Sequence, residues 1–581
     1  MFEATPPRSM IAAATVTSSM PSIMRAAAGT LITAALLACG GGGDEVGPLP
    51  PPVCEGEIEF PDAQLRALLL EILADPEASE DTDTDGGEPV LTAEALLRIT
   101  GLQAAEHEIV DLRGLECARN LVSLGLAGNM VTSLDPLATL TELRELELSN
   151  NPVTDLDALV HTVALEKLVL AGTGVGDLGA VRRLVALRHL DVASGAVSDL
   201  RPLAALTSLE SLVLSGNKIT DVSPLADLEL LFALELDGNK IADIEPLTGL
   251  TGLEYLDLDG NQLASLAPLA ALSRLRDLEA SVNQITSTAG LAGKPMLVEL
   301  SLEANRITSL EDLTGLDSLV IVDLDANLLT DLAGIEAVTR LRTLAVQSNV
   351  LTDIGALASL TSLRSLDLRD NPGLVSIAAV KSLLALDFLG AGGHGLAQDL
   401  TPLTALPLLR TLDLTDTGTT DYSPLTTLPA LRSLNLGGAT LDDTDLEQLG
   451  EIVGLTDLTL RDTAITNLTP LAPLIALVSL DASNTAVDSL APTLLWPKLE
   501  KLKVPGTKVV DLAGFEAPKL LRSLDLGDTP VASLAPLVAN EYFRRGDVVD
   551  VGGAALDDGD CPDILALRAR EAVVDTDLAC D

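Results

Sequence analysis

Apolar positions recur along most of this chain in a fixed frame. In "LVLSGNKITDVSPL", Leu212 to Leu225, a lone polar residue, Asn217, sits inside an aliphatic framework. Leucine-type residues precede it at −8, −5 and −3 (Leu209, Leu212, Leu214) and follow it at +2, +5 and +8 (Ile219, Val222, Leu225). The same frame fits Asn129, Asn151, Thr173, Gly195, Asn217, Asn239, Asn261, Asn283, Asn305, Asn327, Asn349 and Asn371, each step being 22 residues. A repeat of this period is one supersecondary unit that buries its apolar face only by stacking on its neighbours.

The −5/−3 alternation predicts a short strand with one buried face. The asparagine ends it and turns the chain inward, where backbone groups lack ladder partners. A side-chain amide carries both donors and an acceptor for them. A buried polar group left unsatisfied costs about 1–3 kcal/mol, which gives the column of asparagines its purpose. Proline at +7 (Pro136, Pro202, Pro224, Pro246, Pro268) rules out a regular α-helix in the return segment and predicts 3₁₀ or extended structure.

The pattern LxxLxLxxNxIxxLxxL resembles the leucine-rich repeat, and the 22-residue form with "ITDVSPL" resembles the bacterial internalin type. The resemblance covers about residues 119–540. It implies an α/β fold: a right-handed solenoid with a parallel concave β-sheet and a 3₁₀ or extended convex side. The later coils depart from the rule. Their equivalent positions are His394, Thr417, Ala439, Thr463, Thr485, Thr507 and Thr529. A threonine hydroxyl does part of the asparagine's work and alanine does none, so weaker ladders and irregular returns are expected between His394 and Thr463. About 19 coils at about 4.8 Å per strand give a sheet about 90 Å long.

A solenoid needs caps at its open ends. "PDAQLRALLLEIL" spaces Leu65, Leu68, Leu69 and Ile72 as a helix after Asp62, and "TAEALLRITGL" follows as a second short helix. Then "LQAAEHEIVDLRGL" reads as a degenerate first coil with His107 at the asparagine position. This region resembles the helical cap of bacterial leucine-rich repeat proteins. At the far end, "GDVVDVGG" reads as a last strand and "CPDILALRAREAVVDTDLAC" as a short helix stapled by its cysteines. It resembles the disulfide-bearing cap of extracellular repeat proteins. The expected organisation is a signal at 1–38, a Gly/Pro-rich tether at 39–53, an N-terminal cap at 54–118, repeats at 119–540 and a C-terminal cap at 541–581.

The start of the chain changes the picture of where it works. Arg25 precedes the short apolar run "AAAGTLITAALLA" and then Cys39. A run of about 13 residues is too short for a membrane span and fits an export signal. "LLAC" resembles a bacterial lipobox, which implies acylation at Cys39 and attachment to the membrane only through lipid. Gly40 after the cysteine, by the same resemblance, points to the outer membrane or cell surface. The other four cysteines fit an oxidising compartment. Their positions suggest the pairs Cys54–Cys117 and Cys561–Cys580, one at each end.

Composition then narrows the partners. The chain carries 85 acidic against 36 basic residues, a net charge of −49. That excludes nucleic acid, which requires a cationic surface, and favours cations or a basic partner. No nucleotide loop, nucleophile elbow or zinc motif is present, and the four histidines are far apart in sequence, so no enzyme activity and no organic cofactor are expected. Strand positions −4 and −2 point away from the core. In five successive coils they read Glu235/Asp237, Asp257/Asp259, Glu279/Ser281, Ser301/Glu303 and Asp323/Asp325: eight carboxylates and no base. Like charges on neighbouring strands are destabilising. Such a stripe is either a solvated face or a surface for a basic protein or peptide, the chain itself being a monomer. A second acidic motif, Asp81, Asp83, Asp85 and Gly86, matches the opening of a calcium loop. However, Pro89 stands at the ninth position and Thr92 where the bidentate glutamate belongs, and these departures favour an acidic loop without calcium. The function expected is a surface-anchored protein-binding module working through its concave face. The alternative is a structural or calcium-stabilised envelope lipoprotein.

Overall fold

The computed structural model describes residues 54–74, 90–393 and 399–580. The signal, Cys39, the tether, the candidate calcium residues Asp81, Asp83 and Asp85, and His394 lie outside the described residues.

Each coil contributes one three-residue strand, and the strands form a single parallel sheet of 22, from Gly101–Gln103 to Val573–Asp575. Neighbours in sequence are neighbours in the sheet and pair without slippage. Glu235 lies opposite Asp257, Asp257 opposite Glu279, Glu279 opposite Ser301, and Ser301 opposite Asp323. The constant 22-residue step sets this register, because a slip of one residue would turn every leucine to solvent. In the coil of Asn217, the frame residues Leu209, Leu212, Leu214, Ile219, Val222 and Leu225 are all buried. The apolar positions join into one continuous aliphatic core along the stack. Burying each such side chain contributes about 1.5–3 kcal/mol.

The asparagines close the turns between coils. Asn239 Nδ2 donates to the carbonyls of Leu214, at 2.9 Å in the preceding coil, and Leu236, at 2.9 Å in its own. Its Oδ1 accepts from Ile219 N–H at 2.9 Å. Asn217, Asn261, Asn283 and Asn305 repeat this pattern. The residue before the asparagine adopts positive φ, as at Gly216 (65°), Gly238 (63°) and Gly260 (61°), which explains the recurrent glycine there. Val282 is forced into the same conformation (54°).

The return segments are mostly 3₁₀ turns, such as Ser223–Leu225 and Ala267–Ala271, with proline in the first turn. The aspartate of "ITDVSPL" starts them: Asp221 Oδ1 accepts from Ser223 N–H at 2.8 Å, and Asp243 Oδ1 from Glu245 N–H at 2.9 Å. Two returns depart from the expected 3₁₀ or extended form. Asp445–Leu449 is α-helical, as is Ala535–Ala539, where Pro536 sits in the first turn, so its missing N–H breaks no bond.

In the later coils Thr463, Thr485, Thr507 and Thr529 donate to the carbonyl three residues earlier, in their own coil. A hydroxyl has one proton, so the bond to the preceding coil made by each asparagine amide is lost. The sheet pairing continues through these coils without a break.

Helix Ala63–Ala74 covers the first coil, with Asp62 Oδ1 accepting from Leu65 N–H at 3.0 Å, and Ala93–Leu96 forms a second short helix. His107 is exposed, and its backbone N–H is taken by Asn129 Oδ1 at 3.1 Å. Disulfides join Cys54 to Cys117 and Cys561 to Cys580. At the C-terminus the structure corrects one expectation: Val548–Asp550 is not the last strand. After helix Cys561–Arg568 the chain adds Val573–Asp575, which pairs with it in parallel. The alternation Val573, Val574, Asp575 is too short to stand out from the cap sequence.

Candidate functional site

The sheet face turned away from the leucines gathers the acidic residues into two files. One file, Glu235, Asp257, Glu279, Ser301 and Asp323, follows the paired register of neighbouring strands. The second, Asp237, Asp259, Ser281, Glu303 and Asp325, lies two residues further on. Of the eight carboxylates, Glu303 is exposed, Asp325 is buried at 9% exposure, and the other six are half-buried. They are thus less solvated than a plain surface stripe.

Backbone N–H groups hold several of them in place. Asp257 Oδ1 accepts from Asp259 N–H at 2.9 Å, and Asp259 Oδ1 from Ser281 N–H at 2.5 Å. Asp323 Oδ1 accepts from Asp325 N–H at 2.9 Å, and Asp325 Oδ1 from Gln347 N–H at 2.6 Å. Ladder spacing brings carboxylate oxygens of Asp257, Asp259 and Glu279 within 4.8 Å of one another. Among the described residues this is the one group of three or more carboxylate, histidine or cysteine ligands close enough to share a cation.

Burial and mutual repulsion make six of these groups weaker acids. Burial pushes Asp257 up to about 7, with the charges of Asp237, Asp259 and Glu279 adding to it. Burial and then Asp323 push Asp325 up to about 8, and burial pushes Asp323 up to about 6. Burial also raises Glu235, Asp259 and Glu279. The causes are the two that disfavour any carboxylate charge, lost solvation and like neighbours.

Two further residues, Asp277 and Tyr255, belong to this face at a third outward position. The strand extends one step back, to −6. There Asp277, raised to about 6 by burial and then by Glu299, has an Oδ1 that is shielded from solvent with no hydrogen-bond partner. Tyr255, also at −6, donates from its hydroxyl to Glu279 Oε1 at 3.3 Å. Period-2 alternation carried to the strand's first residue would have found Asp277. Phe232, just before the strand Ala233–Glu235, is 47% exposed.

The stripe ends at Asp323 and Asp325; the next coil carries Ala345 and Gln347, and the first base at these positions, Arg369, stands two coils beyond Asp325. Its guanidinium pairs with Asp367 (Nη2–Oδ2 2.5 Å) and Asp413 (Nη1–Oδ2 3.3 Å) and reaches Gln347 Oε1 at 3.4 Å. Two files of carboxylates therefore run over five strands before a base interrupts them.

Comparison with known proteins agrees with this architecture. Leucine-rich repeat patterns match residues 119–161, 205–223 and 231–271. The leucine-rich repeat ectodomain of the plant membrane receptor kinase GASSHO1/SCHENGEN3 from Arabidopsis thaliana superposes with a TM-score of 0.55 over 85% of this chain and 68% of that one, at 18% identity. The fold is a leucine-rich repeat solenoid. An internalin from Listeria monocytogenes is 28% identical over 73% of the solenoid chain and 95% of its own, with a TM-score of 0.38. The functional domain of InlJ, also from Listeria monocytogenes, is 22% identical over 79% and 84%, with a TM-score of 0.45. No curated protein sequence matches the chain. Leucine-rich repeat solenoids typically serve as non-enzymatic scaffolds that bind proteins or peptides. No described helix is long and apolar enough to cross a membrane.

Proposed function

We propose that this solenoid is an internalin-like binding module, anchored to the cell envelope by lipid on Cys39, that holds a basic protein or peptide on its acidic sheet face. One observation carries the reading. Eight carboxylates in two files on five adjacent strands have no lysine or arginine among them, and most are partly withdrawn from water. The raised pKa values of Glu235, Asp257, Asp259, Glu279, Asp323 and Asp325 reflect an electrostatic cost that a bound ammonium or guanidinium would relieve. The sheet presents them at fixed spacing, so little order has to be gained on binding. Phe232 and Tyr255 supply the aromatic surface beside them.

A second reading, a cation-stabilised structural protein of the envelope, is favoured by the convergence of Asp257, Asp259 and Glu279 oxygens within 4.8 Å. Carboxylate oxygens are the donor set that calcium takes.

The test compares the wild-type protein with a variant in which Glu235, Asp237, Asp257, Asp259, Asp323 and Asp325 are changed to Gln or Asn. Both are used in pull-downs from envelope and medium fractions, at low and moderate salt, with and without calcium. A basic partner retained by the wild type and lost by the variant supports the binding role. Equal, empty pull-downs from two folded proteins overturn it. A wild-type melting temperature that rises with calcium, and a variant that does not respond, favours the structural reading.

A further inference from the structure

Arginine recurs at another register, the residue just before a strand, and there the molecule provides its own control. At this position Arg144 pairs with Glu166, Arg188 with Glu210 (2.5 Å), Arg276 with Glu254 (3.0 Å), Arg410 with Asp387 (3.5 Å) and Arg522 with Asp547 (3.3 Å). Arg432 instead donates to the carbonyl of Leu431 at 2.7 Å. The rule in this strongly acidic chain is that a pre-strand arginine is spoken for.

Arg342 and Arg364 break it. They occupy this register in adjacent coils, with Arg364 N–H donating to Arg342 O at 2.8 Å, so the two side chains leave neighbouring rungs of the ladder. Both are exposed. Among the described residues neither has an ion-pair or side-chain hydrogen-bond partner, although acidic residues outnumber basic ones by 85 to 36. The rung before them carries Val320, which offers no charge. The rung after carries Asp387, which pairs with Arg410. Two like charges on adjacent strands repel, and among the described residues neither is offset by an ion pair. The position along the stack adds to this. The strands of Arg342 and Arg364, Thr343–Ala345 and Ser365–Asp367, directly follow Ile321–Asp323, where the base-free acidic files end.

We infer that Arg342 and Arg364 are a docking point for carboxylate side chains of the same polypeptide that lies on the acidic files, so the partner segment is charge-polarised, basic along one stretch and acidic along the next. This rests on the binding role proposed above. Two guanidinium groups on rungs about 4.8 Å apart, carried on long side chains, reach carboxylates two residues and about 6.7 Å apart on an extended chain. The acidic files span about 20 Å and the arginines extend the site by about 10 Å, the reach of about ten extended residues. A polypeptide fits better than a phosphate polymer, since uniform negative charge would be repelled by the adjoining files and by the chain as a whole.

The probes are three labelled synthetic peptides, read by fluorescence anisotropy against the full-length protein at physiological ionic strength. The first has six lysines, a two-glycine spacer and three glutamates in blocks. The second has the same composition with the charges interspersed. The third has six lysines alone. The expected result is that the block peptide binds at least tenfold more tightly than the interspersed one. The variant R342A/R364A should erase that advantage and leave the affinity for the lysine peptide unchanged. Equal binding of the block and interspersed peptides, or an advantage that survives in R342A/R364A, overturns the inference while lysine-peptide binding keeps the acidic-face role standing. Failure of the lysine peptide to bind overturns both. Both substituted residues are exposed, so the variant is expected to fold, and far-UV circular dichroism checks it.

Discussion

Asn239 ties its coil to the one before: its amide nitrogen lies 2.9 Å from the carbonyl oxygen of Leu214, 25 residues earlier. Asn239 is 6% exposed, so water does not replace this bond. Asn239→Ala orphans Ile219 N–H and leaves Leu214 O only its bond from Asn217 Nδ2 at 3.0 Å, and is expected to destabilise the stack by about 1–3 kcal/mol. Asn239→Thr keeps only a bond of the kind Thr463 makes to Leu460 O and should cost less. Urea unfolding of the two variants checks the order. Equal losses would mean that the bond between coils contributes nothing.

The acidic files give stability an unusual dependence on pH. A carboxyl whose pKa is raised in the folded state binds more protons folded than unfolded, so stability falls as pH rises from the unfolded value to the folded one. For Asp257, raised from 3.8 to about 7, and Asp325, raised from 3.8 to about 8, the fall runs from about pH 4 to about pH 8. The protein should therefore resist urea better at pH 5 than at pH 8. Asp325→Asn keeps an oxygen for Gln347 N–H and removes the charge. It should add about 1–2 kcal/mol at pH 8, after allowance for solvent screening, and much less at pH 5. Urea midpoints of wild type and variant at the two pH values check this.

Arg369 is the first base beyond the stripe, and its two partners are far from water, with side-chain exposures of 14% at Asp367 and 13% at Asp413. Removing it leaves two poorly solvated charges unpaired. Arg369→Met should cost about 2–3 kcal/mol, and the triple change with Asp367→Asn and Asp413→Asn should recover most of the loss. A double-mutant cycle on unfolding free energies measures the coupling.

Lys294 is fully buried at a position where neighbouring coils carry leucine, Leu272 and Leu316. Its Nζ donates to Leu269 O at 2.6 Å and Leu272 O at 3.3 Å, without a carboxylate, and burial lowers it from 10.5 to about 8. A lysine with a depressed folded value binds fewer protons folded than unfolded between those limits, so the native state gains stability as pH rises from about 8 to about 10.5. Lys294→Met should therefore stabilise the protein by about 2 kcal/mol at pH 7. That gain should shrink steadily above pH 8, which denaturation at pH 7, 8.5 and 10 would show.

The sequence by itself determined the repeat. Hydrophobic side chains at a constant 22-residue step admit one in-register stack, so the strands, the buried asparagine column and the 3₁₀ returns were all legible from Leu212, Asn217 and Pro224. The acidic files followed from the same frame, because alternation along a strand assigns a face to each residue. What lay beyond it was settled by contacts between coils. The frame gave −4 and −2 as outward positions and passed over Asp277 at −6, because it did not fix where the strand begins. It could not say that six of the eight carboxylates are half-buried and Asp325 nearly dry, since shielding comes from neighbouring strands rather than from the residue itself. Nor could it separate Arg342 and Arg364 from Arg188 or Arg276, which share their register. Whether an arginine is paired depends on the side chain one rung away, and only the stacked coils bring that residue alongside.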